Sequence, residues 1–174
     1  MVAIRALTAG DFDSYFALRQ RGLAEHPEAF TSSAEEEVKI AHHKLRARLH
    51  AIPDRPHDVV LGAFVADELV GLCGMSVDSR KNVRHRGKVF GMYVPRDRAR
   101  QGVGSALIAA LIEHAKRCGT LDSLVLTVTA GNDDARRLYE RHGFREWGRE
   151  PAAIRVNGKS YDKIHMLCRL SNVE

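Results

Sequence analysis

The chain has little of what would build a secreted, metal-centred or membrane protein. Cysteine occurs only three times in 174 residues, at Cys73, Cys118 and Cys168, without a Cys-x-x-Cys pair. An odd, scattered set excludes a disulfide framework and reads as reduced thiols, so a cytoplasmic protein is expected. Nine histidines are present, but no His-Glu-x-x-His or paired-cysteine pattern organises them, and no metal is expected. No stretch approaches the roughly 20 apolar residues that cross a bilayer. The N-terminus runs from Arg5 into acidic residues, unlike a signal peptide. Aromatics make up 6% of the chain. Few fall among the basic residues between 80 and 100, and no helix-turn-helix or RNP signature accompanies them, which argues against nucleic acid as the partner. There is no internal repeat or low-complexity tract.

What is present fits one domain over residues 1–174, long enough for a sizeable core. The net charge of +5 favours an anionic ligand. The most informative stretch is 88–110. Residues 89–94 are β-branched and aromatic enough for a strand, ended by Pro95. A basic loop follows, with Arg96, Arg98 and Arg100. Gly102-Val103-Gly104 then opens a helix with Val103, Leu107, Leu111 and Ala115 on one face. The first amides of a helix lack partners and carry partial positive charge. Glycines there let an anion approach the backbone, and Ser105 adds a hydroxyl. A diphosphate suits such a site. Neither the P-loop lysine nor the third glycine of the dinucleotide fingerprint is present.

The remaining elements follow from periodicity and punctuation. Residues 2–7 read as a short strand and 11–23 as a helix. Ser33-x-x-Glu36 is a capping box opening a second helix, with a thin apolar stripe of Val38, Ala41, Leu45 and Leu49. Residues 52–56 form a rigid, proline-bounded linker. Segments 59–65 and 69–77 read as a hairpin, 124–128 as a buried strand. Asn132 caps a helix that Gly143 stops. Asn157-Gly158 joins strands 152–156 and 159–170. The order β-α-α-β-β-β-α-β-α-β-β predicts an α/β fold with a mixed, mostly antiparallel sheet and one βαβ crossover.

This order, with two local signatures, resembles the GNAT superfamily of N-acetyltransferases. One signature, V-x-x-x-x-x-x-x-G-x-G-x-A-L, spans Val94 to Leu107. The other, N-x-x-A-x-x-L-Y-x-x-x-G-F, is present as Asn132, Ala135, Leu138, Tyr139, Gly143 and Phe144. The segment from His26 to Phe30, with Ser33 and the glutamates after it, is similar to a bacterial branch of that superfamily.

The resemblance implies central strands that splay apart and acetyl-CoA as cosubstrate. Pantetheine would lie along Met92, Tyr93 and Val94, the pyrophosphate on Arg100, Gln101, Gly102, Val103, Gly104 and Ser105, and Asn132 would bond the pantetheine arm. Tyr139 would face the sulfur and act as general acid. An amine of a small molecule or protein would be the acceptor, attacking the thioester directly. Where the family loop usually begins with arginine or glutamine, this chain has Ala99. At the position of a catalytic glutamate found in some members it has Lys88, so Glu28, Asp78, His85, Glu150 or a bound water are the candidate bases. A non-catalytic acyl-CoA-binding module on the same fold is the alternative function, a basic nucleic-acid-binding protein a further one. The last strands leave room for a homodimer.

Overall fold

A computed structural model describes residues 1–40, 42–50 and 55–170. Seven strands form one open sheet: β1 (Ala3–Ala6), β2 (Val59–Val65), β3 (Glu68–Val77), β4 (Arg86–Tyr93), β5 (Ser123–Thr129), β6 (Arg145–Val156) and β7 (Lys159–Arg169). Their spatial order is β1-β2-β3-β4-β5-β7-β6. Every neighbouring pair is antiparallel except β4 and β5, which are parallel.

Among the described residues five α-helices cover the sheet: α1 (Phe12–Glu25), α2 (Ala34–Lys39), α3 (His42–Arg46), α4 (Val103–Arg117) and α5 (Asp133–Arg141). The crossover helix α4 buries Val103, Leu107, Ile108, Leu111 and Ala115 on one face of the sheet, in a core shared with Tyr139 and Phe144. On the other face Phe12, Tyr15 and Leu18 of α1 pack with Leu45, Leu49, Leu72 and Tyr93. The expected mixed, mostly antiparallel sheet with one crossover is therefore present.

Local chemistry explains the turns. Ala66 and Asp67, at φ 48° and 65°, turn β2 into β3, and Asn157 and Gly158, at 49° and 79°, turn β6 into β7. Positive φ at both central residues is what a tight two-residue hairpin needs.

Two expectations need correction. The second helix is not continuous: Ile40 is extended, at φ −72° and ψ 129°, and α2 ends there. Glu37, just before the break, has a fully buried carboxylate that Arg48 Nη1 reaches at 3.4 Å. Eleven residues along a straight helix would separate the two by about 16 Å, so the chain must fold back. Ala41 of the expected stripe, and residues 52–54 of the expected linker, lie outside the described residues. Residues 152–156 are the last part of a longer strand, β6, whose register shifts twice, after Glu146 and after Glu150. The second irregularity holds Pro151, which an edge strand tolerates, and Asp162 Oδ1 accepts the Ala152 amide there at 2.9 Å.

Candidate active site

The parallel pair β4–β5 is joined only through Arg86, Gly87 and Lys88 against Ser123, Leu124 and Val125. Past Lys88 the two strands part. On its other edge β4 gains one residue against β3, between the Gly74–Phe90 and Leu72–Tyr93 pairs. The extra residue is accommodated at Gly91, whose φ of +63° suits glycine. The bulge bends β4 away while β5 stays paired with β7 as far as Thr129 and Lys163. Residues 89–93 of β4 thus face an opening rather than a strand. It leads into a cavity of about 1270 Å³ lined by both strands, the start of α4 and one side of α5.

At one end of this cavity Arg100 takes a left-handed conformation (φ 61°), and Gly102 (φ 79°) caps α4. Nothing lies within 4 Å of the position a Gly102 side chain would take. At Gly104 that position is bounded by Leu138 Cδ2 at 3.1 Å and Met92 Cε at 3.2 Å, so here glycine serves the close packing of α4 on α5 and β4.

The expected site residues divide by what the fold does with them. Met92, Val94, Arg100, Gly102, Val103, Gly104, Ser105, Asn132 and Tyr139 all line the cavity. Tyr93 borders it too, but its hydroxyl donates to Glu25 Oε2 at 2.7 Å. The Gln101 side chain turns back, donating to the Asp97 carbonyl at 3.2 Å. Ser105 Oγ is 2.8 Å from His142 Nε2, and burial and Arg141 both lower the His142 pKa. Asn132 caps α5, its Oδ1 accepting the Ala135 amide at 3.2 Å.

Tyr139 is buried, its ring edge-on to Phe144 at 5.8 Å. Its hydroxyl has no partner among the described residues and is not sealed from solvent, and the residue lines the cavity, so the hydroxyl opens on it. Burial, with a smaller contribution from Cys73, pushes the phenol pKa well above its usual value and keeps it protonated.

None of the four candidate bases, Glu28, Asp78, His85 and Glu150, lines the cavity. Asp78 is tied to Arg80 in its own turn and held well below the carboxylate range. Glu28 and Glu150 flank Lys163, which sequence reading did not single out. Lys163 is 5% exposed and donates to Ala29 O at 3.1 Å and Thr129 Oγ1 at 2.9 Å. Burial lowers its pKa, and Glu28 and Glu150 work against that shift. Arg19 and its partner Glu37 were also missed, since an arginine on an amphipathic helix carries no local sign that its head group is enclosed. Gly91 did carry a sign, a lone glycine inside a strand pattern.

A splayed parallel pair beside a glycine-opened helix is the arrangement expected from the two sequence signatures, and comparison with known proteins agrees. Residues 18–144 match the model of the acetyltransferase (GNAT) family. The chain belongs to that family. A mycothiol acetyltransferase of Clavibacter sepedonicus is 31% identical over 145 residues, 83% of this chain and 43% of that protein. The chain thus spans under half the length of this curated relative. The structure of a GNAT-family acetyltransferase from Streptococcus pneumoniae superposes with a TM-score of 0.88 at 26% identity, over 98% of this chain and 100% of that one. The yncA structure from Salmonella typhimurium, solved with its cofactor acetyl-CoA, shares the fold at a TM-score of 0.80 and 20% identity, covering 98% of this chain and 95% of the other.

Proposed function

We propose that residues 1–174 work as one acetyl-CoA-dependent N-acetyltransferase domain, acting on an amine of a small molecule or protein. The observation that carries this is the wedge beyond Lys88, with unpaired β4 backbone on one side and the Tyr139 hydroxyl opening into it. The residues fit the cosubstrate: open space at Gly102 for a diphosphate, and free strand backbone for the amides of a pantetheine arm.

Bound acetyl-CoA supplies an acetyl group already activated as a thioester. The chain would do the rest. The α4 amides and Arg100 hold the diphosphate. Backbone at Met92 and Val94 holds the arm, and an amide near Met92 polarises the reacting carbonyl. Asn132 adds a side-chain contact. Tyr139, kept neutral by burial, would give its proton to the departing sulfur, and a bound water would take the proton that the attacking amine loses. By resemblance to the family, the acceptor enters opposite the cosubstrate, between residues 26–32, 78–86 and 152–160. The free thiols fit a reducing compartment, and the reading places the enzyme in the cytoplasm with no nucleic-acid partner.

Calorimetric titration with acetyl-CoA and CoA, with NADPH and ATP as controls, tests the reading, followed by thiol release with a panel of amines. The expected result is micromolar binding of the first two alone, and turnover. Binding without turnover of any amine would favour the non-catalytic module, and no binding would end the reading.

A further inference from the structure

The geometry points to a carboxylate-binding subsite on Arg19, which makes the acceptor an amine that carries its own carboxylate, as an α-amino acid does. This inference rests on the acetyltransferase reading above and adds the acceptor's chemical class.

Arg19 projects from α1 into the cavity with its side chain 13% exposed. Four contacts hold it still. Nε lies 3.1 and 3.2 Å from the two Glu37 carboxylate oxygens, Nη2 lies 2.7 Å from Glu37 Oε1, and the guanidinium sits over the Phe30 ring, 5.1 Å from its centroid. That leaves Nη1, which has no partner among the described residues. It lies 3.5 Å from the position a Gly91 side chain would occupy. Gly91 is the bulge of β4 and precedes Met92. The free guanidinium edge therefore points at the strand along which the transferred group would lie.

The charge balance asks for an anion there. Glu37 is fully buried and serves two guanidiniums, those of Arg19 and Arg48. The cavity lining also holds Lys44, and Arg55 with Asp58 4.0 Å from it; the other Asp58 oxygen accepts the Val77 amide at 2.7 Å. A buried ion pair used only as scaffold often gains little over apolar residues of the same size. A scaffold also gives no reason to leave a rigidly held N–H facing the cavity. A carboxylate matches a guanidinium edge in shape and charge. Bound there, an α-amino acid would have its amine a few bonds away, beside β4, and Glu37 would act as a positioning residue for Arg19.

The test compares matched acceptors on the wild-type protein at saturating acetyl-CoA, following thiol release. Proteinogenic L-amino acids are set against their carboxamides, the decarboxylated amines and the corresponding aminophosphonates. A hydrogen bond to a charged group is worth about 1.5–3 kcal/mol, so the acid should exceed its amide in kcat/KM by roughly tenfold to a hundredfold. Arg19→Lys keeps a charge opposite Glu37 but has no second edge. It should shrink the acid-to-amide ratio, mainly through KM, with acetyl-CoA affinity unchanged. Amides or plain amines that match the acids, a preference for phosphonates, silence of every carboxylate acceptor while acetyl-CoA binds, or an unchanged ratio in Arg19→Lys would each overturn the subsite. Failure of the parent reading is separate, since it shows as no binding of acetyl-CoA at all. The matched-acceptor comparison needs no variant, so poor folding of Arg19→Lys does not decide the matter.

Discussion

Removing one oxygen from Tyr139 separates chemistry from structure. In Tyr139→Phe the ring keeps its burial and its edge-on contact with Phe144. The lost hydroxyl has no partner among the described residues, so no donor or acceptor is stranded. Stability should change by no more than about 1 kcal/mol, or about 2–4 °C in melting temperature for a chain of this size. Acetyl-CoA affinity should also hold, because backbone and loop groups carry the binding. Turnover should fall about a hundredfold, the usual contribution of a positioned general acid. Because burial holds the phenol pKa above its ordinary value, wild-type activity should show no alkaline loss from this group below about pH 10. Tyr139→Ala is the contrast: it should cost about 3–5 kcal/mol by leaving a cavity, and its lost activity would say nothing about acid catalysis. The assay is thiol release at saturating acetyl-CoA and acceptor, beside calorimetry and thermal melts. A Tyr139→Phe protein that melts normally, binds acetyl-CoA normally and turns over at the wild-type rate would refute the role.

Three further outcomes are expected. Gly102→Ala places a side chain at φ 79° with nothing within 4 Å to clash, so the stability cost is the backbone's, about 1–2 kcal/mol; Gly119→Ala, at φ 67° and equally open, should cost the same by thermal melting, but only Gly102→Ala should weaken acetyl-CoA binding. For Glu37, burial raises the pKa and the Arg19 and Arg48 guanidiniums more than offset it, leaving the folded value below the ordinary one. Its stabilising contribution is therefore full above the unfolded pKa of about 4.3 and lost as pH falls through the folded value. Glu37→Gln should remove that limb of an acid-unfolding curve and destabilise the protein at neutral pH by about 3–5 kcal/mol. Cys73 is fully buried, with its thiol pushed up to about 12 by burial, so a thiol reagent at neutral pH should label the half-buried Cys118 first and reach Cys73 only on unfolding, as mass spectrometry would show.

The sequence by itself determined the parts of this protein that depend on neighbours in the chain. Asn132 caps α5 with its own side chain three residues on, Gly102 takes the left-handed turn that starts α4, and Asn157-Gly158 closes a hairpin. Each is a matter of backbone sterics or a short-range hydrogen bond, so residue type is enough to read it. The two signatures sit on the first two of these elements, which is why the family is legible in the sequence.

Only the tertiary structure decided how the site is walled. The wedge exists because β4 leaves β5 after three pairs and bulges at Gly91, and strand pairing is a contact between distant segments that no local pattern specifies. The break at Ile40 accompanies a pairing of Glu37 with Arg19 and Arg48 that the capping box and apolar stripe do not announce. Lys163 reads as one more charge in a hairpin strand. Yet it ends buried against Ala29, 134 residues away, because the fold stacks the connection after α1 on the end of β5. Burial and the pairing of charges across such distances are set by packing, and they decide which of the many arginines, lysines and glutamates in this chain face the chemistry.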